Sequence, residues 1–324
     1  MRVDIRTATG LLKAHDNILF ICHSNPDGDT IGSAFALCGA LDRLGKKCRV
    51  SCYDRIPAMY SFMSDIPQSE VPQPEYLVAV DVADLDLIGP DEFSASFAGK
   101  IDLCIDHHAS NTFYAENTCL DEDAAAAAET VLLILGELGV KPDKDIAECI
   151  YVGLSTDTGC FRYSNTTART LRMAADMYDI GIDVTMINKV MFETRTKSYN
   201  ILESMALGGI RISDDGKYAV ITVTREMLDV SGADENESHA LKAIPREIEG
   251  VLVGATMTEQ KDGDFRVSLR SNAPADASAI CSKMGGGGHI RAAGCTIAGP
   301  YEAAYATLTG HIEEEIARAT ANDR

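Results

Sequence analysis

Acidic and imidazole side chains recur in four short clusters of the N-terminal half. The first is His23-Ser24-Asn25-Pro26-Asp27-Gly28-Asp29, and the second is Asp81, followed by Val82-Ala83-Asp84. The third is Asp106-His107-His108, and the fourth is Asp157 within Ser155-Thr156-Asp157-Thr158-Gly159. Singly, each has a plain structural explanation. Asn-Pro-Asp-Gly is a turn sequence, Asp81 and Asp157 suit helix caps, and one of two adjacent histidines is often only solvated. Brought together, His23, Asp27, Asp29, Asp81, His107 and Asp157 offer four carboxylates, two imidazoles and no thiolate. That set suits octahedral Mn²⁺ or Mg²⁺ better than structural zinc. Four crowded carboxylates repel one another unless cations neutralise them, and two divalent ions supply the matching charge.

The elements around these clusters bring them to one place. Residues 17–22, 49–53, 76–80 and 101–105 are short apolar runs ended by polar residues, the pattern of buried strands. Between and after them, 31–44, 124–138, 145–154, 167–179 and 184–192 have helical composition and length. Strand–helix alternation predicts an α/β domain, a largely parallel sheet with helices on both faces. In such a sheet the strands share one carboxyl edge where ligands bind. Three of the four clusters follow strands directly and so converge there.

Near residue 190 the pattern changes. A connecting helix over 194–207 leads to strand candidates at 210–213 and 218–224, joined by Asp214-Asp215-Gly216. A second pair, 250–258 and 265–269, surrounds Asp262-Gly263. A helix near 276–284, the glycines 285–288, a strand at 295–298 and a final helix over 301–319 complete a smaller α+β domain. The domains expected are 1–190, a connector at 191–209, and 210–324, with a cleft between the two.

The chain has 324 residues, 46% of them apolar and 24% charged, which excludes general disorder. Its 29 basic and 49 acidic residues give a formal charge of −20, which disfavours binding to long duplex nucleic acid. A small anion held by local charge or metal is compatible with it. Between 265 and 295 the balance reverses: Arg266, Arg270, Lys283 and Arg291 face only Asp276. No apolar run approaches the ~20 residues of a membrane span. The first ten residues lack a signal-peptide pattern, and ten cysteines without a Cys-x-x-Cys pair fit reduced thiols in a cytoplasmic protein.

In combination, the four clusters resemble the motifs of the DHH phosphoesterases. Gly285-Gly286-Gly287-Gly288-His289-Ile290-Arg291-Ala292-Ala293-Gly294 resembles the signature of the DHH-associated C-terminal domain, and Val267-Ser268-Leu269-Arg270-Ser271 its substrate-binding strand. The size and the Asp157–Thr166 stretch are similar to the subgroup that degrades very short oligonucleotides (nanoRNA) and 3′-phosphoadenosine 5′-phosphate (pAp). The resemblance implies one metal on His23, Asp27 and Asp81 and a second on Asp29, Asp81, His107 and Asp157, with Asp81 bridging. Mn²⁺ is expected, with Mg²⁺ the alternative. It implies that Asp106 orients His107, that His108 faces the scissile phosphate, and that a two-metal activated water hydrolyses the ester. Arg162, Arg270, Ser271, Gly286, Gly287, Gly288 and His289 would hold the substrate. Alternatives are hydrolysis of pApA or cyclic di-AMP, and a nucleotide-binding regulator without turnover. A homodimer is compatible with this reading, and neither a membrane nor a long duplex partner is expected.

Overall fold

The structure is a computed structural model that describes residues 1–234 and 237–321. The chain forms two compact units, Met1–Thr194 and Arg195–Arg324. The first begins with α1 (Ile5–Ala14), β1 (Ile18–Ile21), α2 (Gly28–Asp42), β2 (Cys48–Ser51) and β3 (Tyr76–Val80). Next come α3 (Asp91–Ala95), β4 (Leu103–Asp106), β5 (Asn117–Leu120) and α4 (Ala127–Leu138). Helices α5 (Lys144–Asp157), α6 (Ala168–Ile180) and α7 (Val184–Asn188) complete it. All five strands are parallel, in the order β2-β1-β3-β4-β5. The chain lays β2 on one side of β1 and then crosses to build β3, β4 and β5 on the other. Such a reversal opens a crevice beyond the carboxyl ends of β1 and β3.

Alternate strand residues serve two different cores. Ile18, Phe20, Val78, Val80, Leu103 and Ile105 pack under the long helices with Leu37, Val131, Ile134 and Ile150. Ile21, Ala79 and Cys104 face the other way, where Val82, Ile88 and Phe93 cover them with short helical segments. Helices α2 and α5 cross very closely: a Cβ on Gly32 would lie 2.3 Å from the Cys149 carbonyl oxygen. That glycine brings the start of α2, carrying Asp29, next to the end of α5, carrying Asp157.

The second unit holds α8 (Lys197–Gly208), β6 (Arg211–Ile212), β7 (Tyr218–Val223), α9 (Arg225–Ser231), β8 (Val253–Glu259) and β9 (Phe265–Ser271). It continues with α10 (Ala277–Ser282), β10 (Gly287–His289), β11 (Ala292–Ile297) and α11 (Tyr301–Ala321). The sheet order is β10-β11-β9-β8-β7-β6, antiparallel except for β7 beside β8. Helix α8, read from sequence as a connector, packs Tyr199, Leu202 and Ala206 against Ile221, Val223 and Leu241. That shared core makes it part of the second unit. The glycine run is partly an edge strand. A Cβ on Gly286 would lie 2.2 Å from the Gly294 carbonyl oxygen, and one on Gly288 2.6 Å from that of Ala292. Those two glycines are required by strand packing, whereas Gly287 faces open space.

Candidate active site

Strands β1, β3 and β4 are neighbours, so the residues that follow them meet. His23 follows β1, Asp81 follows β3, and Asp106-His107-His108 closes β4. Asp27 is the N-cap of α2, its carboxylate accepting from the Asp29 and Thr30 amides, and this fixes where the helix starts. The four sequence clusters therefore contribute to one site. His23 Nε2 lies 3.6 Å from Asp27 Oδ1 and 3.9 Å from Asp81 Oδ2. His107 Nε2 lies 3.2 Å from Asp157 Oδ2, 3.4 Å from Asp81 Oδ1 and 3.8 Å from Asp29 Oδ2. Three overlapping groups could each hold a cation with atoms within 4.8 Å of one another: His23, Asp27 and Asp81; Asp81, His107 and His108; and Asp29, His107 and Asp157. Asp81 belongs to the first two, and His107 links it to the third.

The ring orientations are set by backbone carbonyls. His107 Nδ1 bonds the Ala124 oxygen at 3.1 Å, and His23 Nδ1 bonds the Ser24 oxygen at 2.8 Å. With Nδ1–H so engaged, each neutral imidazole turns the lone pair of Nε2 toward carboxylates. Two polar atoms at the centre, His107 Nε2 and Asp81 Oδ1, are buried without a hydrogen-bond partner. A lone pair facing carboxylates is repulsive unless a proton or a cation lies between them. The donor set therefore fits divalent cations.

The electrostatics show the same deficit of positive charge. Burial alone would lower the His107 pKa, but Asp157 and Asp81 outweigh it and push it up to about 12. His23 is likewise disfavoured as a cation by burial, yet Asp27 and Asp81 carry it up to about 9. Burial and the Asp157 charge push Asp29 up to about 7, and burial with Asp29 raises Asp81 well above the ordinary carboxylate value. Protons are drawn into this cluster, and metal ions would displace them.

Asp29 has supports that the sequence did not announce. Its Oδ2 accepts from the Ala127 amide at 2.6 Å, its Oδ1 from the Ala128 amide at 3.0 Å and from Ser33 Oγ at 3.1 Å. The N-terminus of α4 thus holds this carboxylate, with the helix dipole in the favourable sense. The alanine run at 124–128 permits the approach.

Asp106 does not orient the His107 ring. Its Oδ1 accepts from His108 Nδ1 and from the His107 backbone amide, each at 2.8 Å. The ring partner of Asp106 is His108, and the His107 tautomer belongs to Ala124. Asp106 lies below the ordinary carboxylate range: burial would raise it, but His108 and Asn111 overcome that. Asn111, which sequence reading missed, donates Nδ2 to Asp106 Oδ2 at 2.6 Å. Asp106 in turn raises the His108 pKa.

The remaining expected residues belong to none of the candidate cation groups. Arg162 is exposed, its Nε donating to the Gly159 oxygen at 2.6 Å, after three successive left-handed residues, Gly159, Cys160 and Phe161. In the second unit, Arg270 pairs with Ala292 across β9–β11, and Ala292 with His289 across β11–β10. Arg270 and His289 therefore share one row and one face, about 10 Å apart. Ser271 is buried and donates to the Ile290 oxygen at 2.9 Å, which ties down the approach to β11.

Residues 17–154 match the DHH family, N-terminal domain, and residues 215–318 the DHHA1 domain. A bifunctional oligoribonuclease and PAP phosphatase of Thermus thermophilus is 32% identical over 97% of this chain and 95% of its own. The enzyme so described from Bacillus subtilis is 25% identical over 88% of this chain and 91% of its own. The crystal structure of an exopolyphosphatase-related protein from Bacteroides fragilis superposes with a TM-score of 0.86 at 25% identity, covering 96% of this chain and 95% of that one. Matched along nearly its full length, and carrying the acidic and histidine clusters at one sheet edge, the chain belongs to the DHH family of phosphoesterases.

Proposed function

We propose that this protein hydrolyses very short oligoribonucleotides and pAp, with two divalent cations at the β1–β3–β4 edge. The observation that carries the reading is the paired ligand group around Asp81, with His107 Nε2 and Asp81 Oδ1 buried and unpartnered at its centre. The substrates follow from the similarity to enzymes described as oligoribonuclease and PAP phosphatase. In this reading His23, Asp27 and Asp81 hold one ion, and Asp29, Asp81, His107 and Asp157 the other. Bound there, such ions supply Lewis-acid activation of a water and stabilise charge on the phosphoryl oxygens. Mn²⁺ suits the carboxylate-rich set, with Mg²⁺ as the alternative.

The chain's own residues do the rest. Asp106, fixed by Asn111, keeps the His108 proton on Nδ1 and aims the ring, and His108 meets the scissile phosphate or its leaving oxygen. Arg270 and His289 hold a second phosphate, and Arg162 adds a cation in the turn that follows α5. Ten free cysteines, seven of them in the first unit's cores or next to them, fit a reducing cytoplasm. A substrate panel in Mn²⁺ tests the assignment: pAp, pApA, cyclic di-AMP, a pentaribonucleotide, a 24-mer and pyrophosphate. Turnover of pAp and the pentamer well above the 24-mer and pyrophosphate is expected. Preference for cyclic di-AMP or for pyrophosphate would overturn it.

A further inference from the structure

Asp29, His107 and Asp157 form one candidate cation group, but they reach it by two routes. Asp29 and His107 both lean on the segment entering α4. The Ala127 and Ala128 amides hold the Asp29 carboxylate, and the Ala124 oxygen engages His107 Nδ1. Asp157 arrives separately, as the last residue of α5. A helix leaves its final carbonyls without partners inside the helix. In α5 the Leu154 oxygen accepts from Thr158 Oγ1, that of Ser155 from the Cys160 amide, and that of Thr156 from the Gly159 amide. The Asp157 oxygen accepts from a side chain, Asn165 Nδ2, at 3.1 Å. The same nitrogen donates to the Ala125 oxygen at 3.0 Å. One amide therefore ties the end of α5 to the residue beside Ala124.

The turn after α5 is shaped to bring Asn165 back to this point. Gly159, Cys160 and Phe161 are all left-handed, and the Arg162 and Tyr163 amides donate to the Thr158 oxygen at 2.9 and 3.0 Å. A Cβ on Gly159 would lie 2.3 Å from Tyr163 Cζ, so glycine lets the ring close over the turn. Two non-glycine residues held left-handed store strain, which persists only where the surroundings enforce it. Beyond the turn, Arg169 bonds Asp121 and Glu129, and Thr170 bonds the buried Glu129. These contacts anchor α6 to α4 independently of Asn165, whose own side chain is exposed. Removing it therefore leaves the main tie between those helices in place.

We propose that Asn165 is a positioning residue for one of the two cations: by bridging the Asp157 and Ala125 carbonyls, it sets the spacing between Asp157 and the ligands that residues 124–128 hold. The inference rests on the proposed function above. The other group, His23, Asp27 and Asp81, is placed by the ends of β1 and β3 and the cap of α2. Loss of Asn165 should therefore affect the two ions unequally.

Calorimetric titration of the metal-stripped full chain with Mn²⁺ tests it, alongside turnover of pAp measured against Mn²⁺ concentration. Removing a group that orients a metal ligand costs about 10- to 100-fold in metal affinity. Asn165→Ala and Asn165→Leu are expected to weaken one Mn²⁺ site by about tenfold or more and to leave the other within about threefold of wild type. The Mn²⁺ concentration for half-maximal turnover should rise in step, while kcat at saturating Mn²⁺ recovers to within about fivefold. Melting of both variants without metal should stay close to wild type, which reports that they fold. Ser164→Ala, exposed in the same turn, should bind both ions as the wild type does. Two sites weakened alike, two sites unchanged, or the same loss in Ser164→Ala overturn the positioning role and leave the proposed function standing. A wild-type chain that takes up no Mn²⁺ overturns both.

Discussion

Asp81 stands at the end of β3 with φ near 60°, a left-handed conformation that aspartate tolerates better than most residues. That turn presents its two oxygens to different partners, Oδ2 toward His23 and Oδ1 toward His107. Asp81→Ala should therefore lower kcat on the order of 10³-fold or more, because both proposed cations lose a shared ligand. The fold should survive, with only a modest change in thermal midpoint, since the relief of carboxylate repulsion is set against alanine's poorer tolerance of the left-handed turn. Folded variant protein with activity within a few-fold of wild type would remove the assignment. Asn111 tests a different link. Asn111→Leu leaves the proposed ligands intact but frees Asp106 Oδ2, and a 10- to 100-fold loss of kcat is expected, with Mn²⁺ affinity by calorimetry close to wild type. The clustered acids and histidines were legible in the sequence because residues after parallel strands share an edge. Asn111 and the Ala124 carbonyl were not, because a hydrogen bond across a loop leaves no mark in residue type or spacing.

At the scale of elements, the site depends on helices that approach without side chains in the way. A Cβ on Gly153 of α5 would lie 2.6 Å from the Ala128 Cβ and 2.7 Å from Asp29 Oδ1. Gly153→Ala should cost about 1–3 kcal/mol by overpacking, and also weaken Mn²⁺ binding because Asp29 must shift. A lowered melting temperature with undiminished Mn²⁺ affinity would separate the packing from the site. The longer helices and β3 announced themselves through composition and apolar runs. Strand β5 did not: Asn117-Thr118-Cys119-Leu120 is four residues long with a polar start, and it is a strand because β4 pairs with it. Residues 287–289 were also illegible as a strand. A glycine run signals a loop, and only the fit of Gly286 and Gly288 against β11 makes it an edge.

For the whole molecule, the metal-free site should govern stability against pH. His23 rises to about 9, His107 to about 12 and Asp29 to about 7, and Asp81 is also raised. Every one of these folded values lies above its unfolded counterpart, near 6.5 for histidine and 3.9 for aspartate. The folded chain thus binds more protons between about pH 4 and 9, and its stability falls as pH rises through that window. Melting of the EDTA-treated protein should show a midpoint lower at pH 8.5 than at pH 6, and Mn²⁺ should flatten the difference. A midpoint that climbs with pH in the absence of metal would contradict the charge balance described here. Two units of this kind were foreseeable from the change of pattern near residue 190, whereas the allegiance of α8 depended on a core formed with residues far along the chain.

Phosphate release from pAp by the metal-stripped chain tests most directly whether the cluster around Asp81 performs metal-dependent phosphoester hydrolysis. The stripped protein should be silent, Mn²⁺ should restore turnover better than Zn²⁺, and Asp81→Ala should stay silent at every Mn²⁺ concentration. Turnover that persists in EDTA, or that Mn²⁺ restores to the Asp81→Ala protein as fully as to wild type, would contradict it.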